Sequence, residues 1–147
     1  MSEETIRLKK NDIIFAEGEI DFNLFYISSG KVMAFLIHGT EITPVAYFKR
    51  GDFIGELAFF DKSPRSASLV CLEETVLKKY NYQKSKNQFP DWTITLAESI
   101  TKKIRNFDEL IKNHGIRRKK AESIKPLSIE EQRHYYGLLK EYKEKAL

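Results

Sequence analysis

Between residues 6 and 83 the apolar residues fall in short clusters: Ile13-Ile14-Phe15, Asn23 to Ile27, Lys31 to Ile37, Glu41 to Phe48, Ser66 to Cys71 and Thr75 to Tyr80. Each is rich in Val, Ile, Phe or Tyr, which suit the pleated, half-buried surface of a β-strand. Turn chemistry separates them, as Asn11-Asp12, Gly18-Glu19, Ser29-Gly30, His38-Gly39 and Arg50-Gly51-Asp52. Many short strands at this spacing predict a sandwich or barrel, not a parallel sheet. After residue 84 the period changes. Trp92, Leu96, Ile100, Ile104, Phe107 and Ile111 recur every three or four residues, predicting a long amphipathic helix over about 90–112, with Pro90-Asp91 at its start and Asn113-His114-Gly115 at its stop. Such a stripe serves equally to pack on the strands or to form a seam with a second subunit. Further on, Ser128-Ile129-Glu130-Glu131 has the form of a capping box and predicts a C-terminal helix over about 128–145. Its apolar residues Tyr135, Leu138, Leu139 and Tyr142 share one side, so it either folds back or docks on another protein.

Charge adds one asymmetry. Of the 147 residues, 25 are Lys or Arg and 21 are Asp or Glu, a net charge of +4. Residues 1–112 hold 16 of each sign, so the excess sits in the basic linker and helix of 113–147. The run Arg117-Arg118-Lys119-Lys120 is short enough to be read as a solvated segment in preference to a nucleic-acid contact. Cys71 is the only cysteine, which excludes a disulfide framework and a Cys-based zinc site and leaves a reducing compartment or a disulfide-free exported protein, with the cytoplasm as the simpler expectation. The acidic start Met1-Ser2-Glu3-Glu4 is unlike a signal peptide, and no apolar run approaches the roughly 20 residues of a membrane span.

The chemistry concentrates in Gly51 to Ser68. A strand ending at Ile54, then Gly55, then a helix-favouring segment from Glu56 would aim free backbone N–H groups at a common point, where a phosphate is well held. Arg65 can return over that helix start, and its planar fork can make parallel bonds to two phosphate oxygens. Glu56, an acceptor when ionised, is useful beside an anion only if something there donates, such as a sugar hydroxyl. Together these groups suggest a ribose phosphate. A structural ion pair between Arg65 and Glu56 is the plainer alternative.

The stretch Gly55-Glu56-Leu57-Ala58, six further residues, then Arg65-Ser66-Ala67-Ser68 resembles the phosphate-binding cassette of the cyclic nucleotide-binding domain family, which includes bacterial catabolite activators, kinase regulatory subunits and gated channels. Gly18, Leu24 to Val32 and Gly51-Asp52-Phe53-Ile54-Gly55 resemble its glycine-marked strands. The resemblance covers about residues 6–112. It implies a mainly β fold with added helices: a β-jelly-roll (double-stranded β-helix) barrel over about 6–83, then the long helix. It further implies that Arg65 pairs with a cyclic phosphate, Glu56 accepts from the ribose 2′-hydroxyl, and Gly55, Leu57 and Ala58 line the phosphate pocket with Ser66 and Ala67 beside them. Ser66 leaves cAMP and cGMP both open, with cAMP expected. Asn11 stands where the family usually has Gly before a strand, and an Asn turn tolerates the same backbone. Base-capping contacts are expected between Ile104 and Asn113, with Phe107 and Leu110 as candidates.

Only 35 residues follow Lys112, too few for the winged helix-turn-helix of the transcriptional members. His38, His114 and His134 are scattered, and the chain contains neither a His-x-His pair nor a P-loop nor a Gly-x-Ser-x-Gly motif. The expectation is a non-enzymatic cAMP sensor that signals through a protein partner, with a homodimer through the long helix as one arrangement. The alternative is a nucleotide-independent interaction module that uses the same barrel and the C-terminal helix.

Overall fold

The computed structural model describes residues 3–114 and 125–146, with side chains over 3–107 and 125–146. The basic run at 117–120 and the side chains of Leu110 and Ile111 lie outside the described residues. Eight strands form two four-stranded antiparallel sheets. The first is ordered β1 (Glu3–Leu8), β8 (Thr75–Tyr80), β3 (Leu24–Ser29), β6 (Phe53–Ile54); the second is ordered β2 (Ile13–Phe15), β7 (Ser68–Cys71), β4 (Lys31–His38), β5 (Glu41–Lys49). This arrangement realises the expected β-jelly roll. The helices are α1 (Glu56–Asp61), α2 (Tyr82–Ser85), α3 (Asp91–His114) and α4 (Ile129–Lys145).

Two strands carry side chains into two different cores. Val32 and Ala34 of β4 and Leu69 of β7 face a cluster between the sheets with Phe15, Phe25, Ile27, Ile54 and Leu77. The alternate residues Met33, Phe35 and Val70 face the outer side of the second sheet, where Leu139 of α4 joins them with Ala16 and Ile42. A strand covered on both faces reads as a continuous apolar run, which is why Val32-Met33-Ala34-Phe35 shows no alternation. Leu139 is only 3% exposed, so α4 folds back onto the barrel. Its start is the predicted capping box: Ser128 Oγ accepts from Glu131 N–H at 3.1 Å, and Glu131 Oε1 accepts from Ser128 N–H at 3.0 Å.

The long helix behaves differently. Its apolar stripe faces away from the barrel, with Trp92 69% and Phe107 65% exposed and Leu96, Ile100 and Ile104 also open. The face turned inward carries buried Thr101 and half-buried Ala97 and Arg105. Arg105 donates to the Asp61 carboxylate through Nε and Nη2, tying α3 to α1. Of the two roles left open for the stripe, packing on the strands is not the one the described residues show.

β1 was not among the expected strands. Its charges Glu3, Glu4 and Arg7 obscure a two-residue alternation in which Ile6 and Leu8 pack against the inner core. The short helix α2 begins at Tyr82 and is capped by the Asn81 side chain, which accepts from Gln83 and Lys84 N–H groups.

Candidate functional site

Strand β6 ends at Ile54, and the chain turns into α1 through Gly55 at φ +80°, a backbone that side-chain-bearing residues rarely adopt. A Cβ at Gly55 would collide with Arg65 Nη1 and come within 3.0 Å of the Asn23 carbonyl oxygen, so glycine is required here by conformation and by space alike. The first helical bond runs from Phe59 N–H to Gly55 C=O at 3.2 Å. The N–H groups of Glu56, Leu57 and Ala58 precede it and have no acceptor within the helix.

Arg65 is 2% exposed. Nη1 donates to Gly55 C=O at 3.0 Å, and Nη2 donates to Asn23 C=O at 2.7 Å and to Asp21 Oδ2 at 2.9 Å. Its carbon Cζ lies 4.1 Å from the centre of the Phe15 ring, a cation–π contact that favours keeping the charge inside. Arg65 Nε is buried and has no hydrogen-bond partner among the described residues. An unmet guanidinium N–H in the interior is costly, and an anionic acceptor would satisfy it.

All seven sequence-predicted residues, Gly55, Glu56, Leu57, Ala58, Arg65, Ser66 and Ala67, line one cavity of about 170 Å³, with Phe15, Phe48 and Ile54 among its apolar walls. Glu56 and Ser66 are exposed, and Leu57 and Ala67 are half-buried. The ion pair of Arg65 is with Asp21, not with Glu56. Asp21 and Asn23 were missed because they lie 44 and 42 residues before Arg65. The only local hint was the turn chemistry beginning at Gly18. Asn11 has φ +76°, the left-handed backbone expected where an Asn replaces Gly.

A larger cavity of about 380 Å³ is bordered by Leu24, Phe53, Glu56, Phe59, Phe60 and Phe89, and among the described residues no Lys or Arg lines it. Size alone would favour that cavity, but its side-chain donors are the neutral hydroxyls of Tyr80 and Ser85, whereas the charged donor that suits an anion, Arg65, lines the smaller one. Among the described residues no cluster of His, Cys, Asp or Glu could hold a metal ion, and no helix is long and apolar enough to cross a membrane. Burial pushes the Cys71 thiol up to about 11, so its reactive thiolate is scarce at neutral pH.

The sequence profile of the cyclic nucleotide-binding domain matches residues 5–89, more than half of the chain. The chain belongs to the cyclic nucleotide-binding domain family. A cAMP-dependent protein kinase regulatory subunit of Emericella nidulans is 37% identical over 76 residues, covering 52% of this chain and 18% of the subunit. The cyclic AMP receptor protein of Thermus thermophilus is 30% identical over 99 residues, covering 65% of this chain and 46% of the receptor. The chain therefore spans less than half the length of either relative. Among solved structures, the cAMP-bound form of the EAL enzyme Bd1971 superposes with a TM-score of 0.62 at 26% identity, covering 76% of this chain and 31% of that one. Its cGMP-bound form gives 0.61 at 28% identity, covering 69% and 28%. This member of the family thus has relatives named for regulatory roles, and the profile match ends before α3 and α4 begin.

Proposed function

We propose that this chain is a non-enzymatic sensor that binds a cyclic nucleotide, cAMP first and cGMP as the open alternative, in the cavity around Arg65. The observation that carries the reading is the buried Arg65 guanidinium. It is braced by Asp21, Asn23 and Gly55, has its Nε without a partner among the described residues, and shares one cavity with the start of α1. In this reading Arg65 Nε and the N–H groups of Leu57 and Ala58 meet the cyclic phosphate, Ser66 and Ala67 flank it, and exposed Glu56 accepts from the ribose 2′-hydroxyl. The relatives named for cAMP support the choice of nucleotide class.

Output passes through a protein partner in the cytoplasm, with a second copy of the chain joined along α3 as the simplest arrangement. The exposed stripe from Trp92 to Phe107 supports it, since a row of large apolar residues in water favours burial against a like surface. The same stripe also favours the second reading, an interaction module that needs no nucleotide.

Titration calorimetry of the parent and Arg65→Ala with cAMP and cGMP at fixed salt separates the two. The first reading expects the substitution to weaken binding tenfold or more, since a charge-assisted contact is worth about 1.5–3 kcal/mol. Equal affinity in Arg65→Ala would remove the pocket assignment. A ligand-free, folded parent that gives no heat with either nucleotide would favour the second.

A further inference from the structure

The segment that presents Asp21 and Asn23 to Arg65 is tied to Arg65 through its main chain as well. Gly18 N–H donates to Arg65 C=O at 2.8 Å, and Arg65 N–H donates to Glu19 C=O at 2.9 Å. The turn is closed by Glu19 itself. Its Oε2 accepts from Ala16 N–H at 2.9 Å, and its N–H donates to Ala16 C=O at 3.1 Å. The same Oε2 accepts from the Tyr142 hydroxyl of α4 at 2.5 Å. Among the described residues this is the one side-chain hydrogen bond between α4 and residues 16–23. The remaining anchors of α4 lie elsewhere: Leu139 in the outer core, Gln132 Oε1 accepting from Ile42 N–H at 3.0 Å, and His134 against Asn11. Burial first, and the bond to Glu19 next, push the Tyr142 hydroxyl well above the usual tyrosine range, so it stays a donor at any ordinary pH.

We infer that Tyr142 is a positioning residue of the Arg65 site: it fixes Glu19, Glu19 fixes the turn that holds the guanidinium, and occupancy of the site is thereby coupled to the docking of α4. The inference rests on the cyclic nucleotide reading above. Coupling of this kind is reciprocal, so a ligand that tightens the turn tightens α4, and a firmly docked α4 raises affinity for the ligand. Because α4 lies beyond the residues that match the family profile, the connection belongs to this chain's own C-terminal part and makes α4 an element on which the bound state is read.

The test is titration with cAMP and with cGMP of the full chain as parent, Tyr142→Phe, Glu19→Ala, Glu19→Gln and the double variant Tyr142→Phe/Glu19→Ala, with amide hydrogen exchange on parent and Tyr142→Phe. All outcomes are read with whichever of the two nucleotides the parent binds. Tyr142→Phe keeps the ring packed and is expected to raise Kd about three- to tenfold, less than a direct contact because it acts at one remove. Glu19→Ala should lose at least as much, Glu19→Gln should recover most of that loss by keeping an oxygen for both donors, and the double variant should be no weaker than Glu19→Ala alone. A packing role for Tyr142 would instead add its loss in the double variant. In the parent, cAMP should slow exchange in α4, and in Tyr142→Phe that protection should vanish. A parent that binds cAMP beside a Tyr142→Phe that binds equally well would overturn the inference and leave the Arg65 site standing. A parent that binds neither cAMP nor cGMP would overturn the nucleotide reading and this inference with it.

Discussion

The two long helices make opposite use of similar patterns. α3 carries the longer apolar stripe, Trp92 through Phe107, and exposes it; α4 carries a shorter one, Tyr135, Leu138, Leu139 and Tyr142, and packs it on the barrel. What decides the outcome is the surface each helix meets. The outer face of the second sheet offers Met33, Phe35, Ile42 and Val70, an apolar patch that needs covering, whereas α3 lies against α1 and is tied to it by the Arg105–Asp61 pair. Amphipathicity says that a face wants burial, and the partner surface determines whether the chain itself can provide it.

The comparison is sharpened most by truncating each stripe. Leu139→Ala should destabilise the fold by about 2–5 kcal/mol, since it opens a cavity in the outer core, whereas Leu96→Ala on α3 should stay within about 0.5 kcal/mol at concentrations where the chain is monomeric. Urea unfolding at low protein concentration reads both, and equal losses would break the distinction between a covered and an open helix. Next in size is association. Ile100→Glu should convert a dimer to a monomer in sedimentation velocity while leaving the unfolding midpoint of dilute protein in place. A parent that sediments as one chain at high micromolar concentration would show that the stripe does not pair with itself. Smallest is Arg105→Ala. The pair is partly exposed, so its removal should cost less than about 1 kcal/mol on unfolding, yet hydrogen exchange in the turns of α3 around Arg105 should quicken as the helix loses its tie to α1. Unchanged exchange there would mean that backbone packing alone holds α3.

How much of this was legible depended on whether the physical cause was local. Strands β3 to β5, β7 and β8 announce themselves because Val, Ile, Phe and Tyr sit between turn residues. The Gly55 and Arg65 pair is legible because a left-handed turn into a helix needs Gly and because the stretch from Gly55 to Ser68 resembles the family's cassette; spacing alone leaves a structural ion pair of Arg65 as the plainer use. By contrast, Asp21 and Asn23 reach Arg65 only through the pairing of strands distant in the chain, and nothing in their immediate neighbours signals it. The same holds for Tyr142 and Glu19, 123 residues apart. The side on which α3 exposes its stripe was also beyond reach, because periodicity fixes a helix face and not its orientation.

The double-sided burial of β4 and β7 carries a consequence for biosynthesis. Their inner residues Val32, Ala34 and Leu69 find their partners within the strands, all of which have been made once β8 ends at Tyr80. Their outer residues Met33, Phe35 and Val70 must wait for Leu139, which leaves the ribosome only after α3 has been translated. Throughout that interval the nascent barrel bears an uncovered apolar patch, of the kind that attracts chaperones and neighbouring chains. The closing helix thus sets the moment at which the nascent chain stops being adhesive.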